Sequence, residues 1–295
     1  MRVSSLGVLL LVTGTVLSDE PPPDRIAKHF KSDHFTVAWG TPLKYDPGAE
    51  LEIGDGGGHG GGLRWLRFRP RSGHVEVLSI LLREDREPYL SKWPTDRPQI
   101  VIRRAEMSSQ TYASLLIDLA VVDAAKLTPT EDVGGISTAD CWWFARLATH
   151  EQNLLQLEWA GYTGSDEEIK YTKPLVAVLL ADQAIKGLEF EKHTLTQEDR
   201  KWASAKFARD WKAFLKRDFH WWVRERYIMM IGLAGDAQAI PTLRGILESD
   251  AKERTMYYAI NAITRITKKD VRVGPVEEMD VERTRQKVLK MLRDR

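Results

Sequence analysis

The sequence predicts an α+β protein: a small antiparallel sheet with packed helices, followed by an all-α domain of helical hairpins. Three observations carry that expectation. Apolar residues alternate on both sides of Pro70-Arg71-Ser72-Gly73, the pattern of a hairpin closed by a short turn. After Ser108 the spacing of apolar residues lengthens to that of a helix. From Thr196 onward only helical spacings occur.

The chain opens with Met1-Arg2, an apolar run from Leu6 to Leu17, and Val16-Leu17-Ser18 ahead of Asp19-Glu20 and three prolines. A basic start, an apolar stretch of about a dozen residues and small or modest residues at the −3 and −1 positions predict a signal peptide at 1–18, cleaved after Ser18. The run is shorter than the roughly 20 apolar residues that span a bilayer. No cysteine stands near the cleavage point to carry a lipid. Residues 19–62 begin in prolines and end in the glycine tract Gly54 to Gly62, which predicts an irregular segment or linker. The tract lacks the Lys and Ser/Thr of a phosphate loop.

An α+β domain is expected over 63–190. Leu63, Trp65 and Phe68 lead into the turn, Val75, Val77 and Ile80 leave it, and Ile100-Val101-Ile102 reads as a further strand. Ser108 or Ser109 caps a helix carrying Tyr112, Leu115, Leu116 and Leu119. Ser137 with Asp140 predicts the start of a second helix, holding Trp143, Phe144, Leu147, Leu154 and Leu155. Pro174 is read as the first turn of a third, which Gly187 ends. Over 197–295, Thr196 with Asp199 forms a capping-box variant, and Trp202, Phe207, Trp211, Phe214 and Leu215 form an aromatic stripe suited to a core.

Charge divides the chain the same way. Residues 197–295 hold 22 Lys+Arg against 15 Asp+Glu, and the first 196 hold 21 against 27. Without Arg2 the whole chain is neutral, which argues against a dedicated nucleic-acid binder. One cysteine, Cys141, excludes an internal disulfide framework and a multi-cysteine zinc site.

Residues 223–247 contain Val223-Arg224, then Ile231-Gly232-Leu233-Ala234-Gly235-Asp236, Ala239-Ile240-Pro241, Leu243 and Leu247. This stretch resembles the short HEAT repeat, and a fainter copy begins 30 residues later at Arg254, with Tyr257, Ala259, Ile260 and Ile263. Tyr227 stands where the family usually has a small residue, and the second copy lacks the Gly-Asp turn. The resemblance implies antiparallel helix pairs stacked as in an α-solenoid and a role in protein–protein contact. It implies no chemistry.

The search for chemistry ends in near misses. His150-Glu151 resembles a zinc-protease helix, but Leu154 occupies the place of the second histidine. Gly135-Ile136-Ser137-Thr138-Ala139 departs from a nucleophile elbow at Ala139. The densest polar-aromatic cluster is 217–227, where Trp221, Trp222, Arg224 and Arg226 offer stacking and cation–π groups for an exposed binding ridge. The expected function is therefore an exported, secreted or periplasmic, non-catalytic binding or scaffold protein. Its partner would be a protein or envelope component. Neither nucleic acid, a cofactor, a metal nor a lasting membrane span is expected. The competing expectation is an exported hydrolase acting on carbohydrate through Asp140, Glu151 and Glu158 near Trp142, Trp143 and Trp159.

Overall fold

The computed structural model describes residues 35–36, 45–57, 62–83, 99–124, 126–127, 141–161, 168–216, 221–249, 251–274 and 279–294. A two-residue ladder joins β1 (Phe35–Thr36) to β6 (Lys126–Leu127). The main sheet is antiparallel throughout. It runs β8 (Asn153–Gly161), β7 (Cys141–Ala148), β2 (Glu50–Gly57), β3 (Leu63–Pro70), β4 (His74–Arg83), β5 (Gln99–Ser108), β9 (Glu191–Lys192). Helices α1 (Ser109–Ala124) and α2 (Glu168–Ile185) cover one face. Helices α3 (Gln197–Lys216) and α4 (Trp221–Ala234) cover the other. Helices α5 (Ile240–Glu248), α6 (Glu253–Thr267) and α7 (Val281–Arg293) stack beyond them.

The strand period of two explains how one sheet serves two cores. On β3, Leu66 and Phe68 join Tyr112, Leu116 and Leu119 of α1, while Leu63 and Trp65 join the helical region. On β4, Val75 and Val77 face α1, and Leu78, Ile80 and Leu82 face away. Tyr112 donates to the Ala49 carbonyl at 2.7 Å and so pins α1 to the start of β2.

Local signals set several boundaries. Gly73, at φ 86°, turns the β3–β4 hairpin, and Gly187, at φ 91°, follows α2. The Ser108 hydroxyl accepts the Thr111 N–H at 3.0 Å and caps α1. Thr196 and Asp199 bond reciprocally: the Thr196 N–H reaches the carboxylate at 2.9 Å and the Asp199 N–H reaches the hydroxyl at 3.2 Å.

Three expectations are corrected. Residues 19–62 are not linker throughout, because Glu50–Gly57 is β2, inside the sheet, with Leu51 and Ile53 fully buried. Glycine is required there for contact: a Cβ on Gly54 would stand 2.4 Å from the Trp142 ring. The segment carrying Trp143, Phe144, Leu147, Leu154 and Leu155 is the β7–β8 hairpin, not a helix. Both faces of β7 are buried, so its apolar run carries no alternation, and the Thr149 hydroxyl accepts the Gln152 N–H at its turn. Helix α2 begins at Glu168, which places Pro174 inside it and not in its first turn. The leader at 1–18 and Ser137 with Asp140 lie outside the described residues.

Filling the contact at Gly54 should overpack this core. Gly54→Val is expected to cost about 1–3 kcal/mol in urea denaturation, whereas Gly73→Asn, at an open turn, should cost far less. Equal losses at the two positions would refute the close-approach role.

Candidate functional site

The helical region meets the sheet through a buried polar set inside an aromatic cage. Lys206 is fully buried on α3, and its Nζ stands 2.5 Å from the Asp210 carboxylate, one helical turn on. The ammonium lies 4.1 Å from the Phe144 ring centre and 5.4 Å from that of Trp65, with Trp142 and Tyr227 completing the cage. Tyr227, from α4, donates to the same Asp210 oxygen. Burial first, and then the Asp210 carboxylate, push its hydroxyl well above the ordinary tyrosine value, so it remains a donor.

Beside the cage, the buried Glu52 on β2 accepts the Trp202 indole N–H at 2.9 Å and Arg209 at 2.5 Å, with Arg146 at 3.6 Å. At the rim, Glu76 of β4 is gripped by Arg69 and Arg71 of the β3–β4 hairpin and by Arg104 of β5. Burial opposes ionisation of Glu76, but the arginines outweigh it and hold the carboxyl below its ordinary range. Arg69 also reaches Glu198 on α3. His193 lies 3.1 Å from Asp199. Burial likewise opposes ionisation of Asp199, while the Thr196 hydroxyl and N–H, with His193, hold it low.

The helices beyond are ordered by their turns. Asp236 accepts the Gln238 N–H and caps the 3-10 turn at Ala237–Ala239. Its carboxylate also accepts from Ser204 and Gln197 of α3, both at 2.9 Å. Gly232 lets α4 approach α6, since a Cβ there would stand 2.8 Å from the Ala262 Cα. Arg254 of α6 meets the buried Glu225 of α4 at 2.8 Å. At the end of α6, Lys268 takes the left-handed conformation, φ 55°, and so supplies the helix stop that the missing Gly-Asp turn would have given.

Helices α4 to α7 thus form a helical array preceded by α3, in which α6 packs against α4, α5 and α7. Residues 208–294 match the family model for HEAT repeats. No curated protein and no solved structure matches the chain. The HEAT region spans the end of α3 to the end of α7 and includes both the clear unit and the fainter copy.

The proposed ridge is altered by this packing. Trp221 and Trp222 open α4, and their side chains lie outside the described residues. Arg224 is half-buried and Arg226 is 5% exposed, so Arg226 is interior and belongs to no exposed ridge. The cause is that α4 touches the sheet, α3 and α6 at once, which buries the run Val223, Glu225, Tyr227 to Ile231 on all sides. Among the described residues, those expected at a carbohydrate site are not gathered either. Trp142 and Trp143 are buried on opposite faces of β7, Glu151 is exposed in the β7–β8 turn, and Glu158 lies along β8. His150, 88% exposed, stands in that same turn and not in a helix. Among the described residues, no group of three or more His, Cys, Asp or Glu is placed to share a metal ion.

The open feature of the HEAT region is a groove of about 580 Å³ between the α6–α7 connection and α7. Lys269, Asp270, Val271 and Arg272 of the connection line it, with Lys287, Lys290 and Met291 of α7 and Asp294 just beyond. The connection is held by Thr284, whose hydroxyl accepts the Val273 N–H at 3.0 Å, and by the Asp280 N–H on the Val273 carbonyl. Burial aside, these groove residues and the caged Lys206 gave no recognisable motif. The signal for Lys206 and Asp210 was an i,i+4 charge pair on the aromatic face of α3.

Two outcomes follow. Lys206→Ala leaves Asp210 buried beside a void and should cost about 3–5 kcal/mol by urea denaturation; a loss under about 1 kcal/mol would show that the cage does not hold the seam. A carboxyl held low when folded contributes stability present above its unfolded pKa of about 3.9, and that stability is lost as pH falls through the folded value. Asp199→Asn should therefore lower Tm at neutral pH, and the gap to wild type should close as the pH is taken below the carboxylate range. A gap that persists unchanged to acid would refute the role of the charge.

Proposed function

We propose that this protein is an exported, non-catalytic scaffold that binds a protein or envelope component through its HEAT region. The reading is carried by the match at 208–294 to a repeat whose stacked helices serve protein contact. The leader pattern at 1–18 supports export. No described helix is long and apolar enough to cross a membrane.

The sheet acts as a rigid base. Its face toward α3 and α4 is committed to the seam, which leaves the outer surfaces of α5, α6 and α7 as the presenting surface. The head of α4, with Trp221, Trp222 and Arg224, borders that surface and completes the contact in this reading. Leu215, 68% exposed near the end of α3, lies at the same end of the region.

Photo-crosslinking residues placed singly at Arg244 on α5, Arg283 on α7 and Trp222 on α4 test it in the producing cells. A discrete crosslinked protein from at least one position is expected, with none from Ser72 in the β3–β4 turn. Crosslinks from Ser72 alone, or from no position in a protein shown to be folded and exported, would overturn the scaffold reading.

A further inference from the structure

We infer that the groove between the α6–α7 connection and α7 is a docking site for a short acidic peptide segment of the partner, one that carries apolar side chains among its carboxylates. This rests on the scaffold reading and deepens it by naming the surface and the partner's chemistry.

Charge complementarity selects the occupant. Lys269, Arg272, Lys287 and Lys290 line the groove against two carboxylates, Asp270 and Asp294. Arg272 is already engaged by Asp270 at 2.5 Å, and that bond, above all, holds the Asp270 carboxyl below its ordinary range. Lys269, Lys287 and Lys290 are exposed. The groove therefore has an excess of accessible positive charge in a region that is itself net basic.

Spacing narrows the choice further. Lys287 and Lys290 stand three residues apart on α7, which places them on one helix face with Cβ atoms about 5–6 Å apart. An extended peptide advances about 3.3–3.4 Å per residue, so carboxylates two residues apart are spaced to meet both lysines. Val271 and Met291, both half-buried, add apolar surface to the lining. Methionine suits such a role because its unbranched thioether adapts to varied shapes.

The same features disfavour a polyphosphate or a lipid surface. Asp294 interrupts the positive charge and would repel a run of phosphates, whether of a polyphosphate or of lipid headgroups, whereas a peptide can place a neutral residue opposite it. The platform beneath is rigid enough for selection. Arg285 of α7 donates to the Leu247 carbonyl of α5 at 2.5 Å, and Asp280 caps α7 through the Arg283 N–H at 2.9 Å.

The test uses the full chain and a fluorescein-labelled peptide of alternating Glu and Leu, with an alternating Lys and Leu peptide as control. Fluorescence anisotropy at low salt should show saturable binding of the acidic peptide, weakened at least about tenfold by Lys287→Glu with Lys290→Glu, and weakened by added salt. Lys287→Gln with Lys290→Gln, which introduces no new charge into the surface, should give an intermediate loss. Equal binding by wild type and the Glu variant, or equal binding of the two peptides, would overturn the proposal. So would lysine-dependent capture by phosphatidylglycerol vesicles without peptide binding, which would assign the groove to a lipid surface. Lysine-dependent self-association without peptide binding would assign it to a second copy. Failure of the peptide with crosslinks retained from Arg244 or Trp222 refutes the groove and leaves the scaffold, while loss of all crosslinks refutes the scaffold itself.

Discussion

The insertion of Tyr227 between the helical region and the sheet is the constraint around which the molecule is arranged. Its ring lies 5.0 Å from that of Trp65, 5.5 Å from Trp142 and 4.9 Å from Phe214, so one side chain from α4 touches two strands and α3. A small residue, usual at this place in the repeat, would leave a void lined by indoles and a buried ammonium. Aromatic contacts of this kind add about 0.5–1.5 kcal/mol each beyond area burial. Because the Tyr227 hydroxyl also donates to Asp210, the ring can settle in one orientation only. The departure from the repeat pattern is thus an adaptation that lets a HEAT hairpin pack on a β-sheet.

That adaptation resolves a difficulty of length. About three stacked repeats are normally needed before a solenoid buries a continuous core. Here two hairpins suffice, because α3 and the sheet face formed by β3, β4 and β7 stand where the preceding repeat would be. The other end is closed differently. On α7, Val281, Thr284 and Val288 are buried, while Glu282, Arg283, Gln286 and Lys287 are exposed. The charges in the seam add specificity more than stability. A buried ion pair contributes little over a well-packed apolar pair, but Lys206, Asp210, Glu52 and Arg209 accept one alignment of α3 on the sheet and penalise others.

Much of this was legible from residues alone, for reasons that also mark the limits. The β3–β4 hairpin, the caps at Ser108 and Thr196, the stop at Gly187 and the Gly235-Asp236 turn depend on local chemistry, and each stands where its residues placed it. Strands β2, β7 and β8 depend on their neighbours. A glycine in β2 signals freedom until the Trp142 ring is known to lie on it. Trp142, Trp143 and Phe144 mimic a helix because a sheet covered on both faces leaves no polar positions to reveal its period. By residue type the arginines at 224 and 226 suit a surface, but Arg226 is interior, and only the three-way packing of α4 decides that. The groove was invisible for the opposite reason. Its lysines look like any solvated helix face until the α6–α7 connection folds alongside them.

The division of charge along the chain then takes on a spatial meaning. In the seam, the buried carboxylates are bonded by cations: Asp210 by Lys206 and Arg209, Glu52 by Arg209, and Glu76 by Arg69, Arg71 and Arg104. Matched charges that are desolvated at an internal boundary cannot also attract a partner. The surplus of basic residues in the last hundred must therefore be displayed elsewhere, on the outer helices. At the α6–α7 connection it meets an open groove lined by Lys269, Arg272, Lys287 and Lys290. Under the docking proposal, a partner that carries negative charge is steered first to that end of the helical region, and short-range contacts with Val271 and Met291 then decide whether it stays.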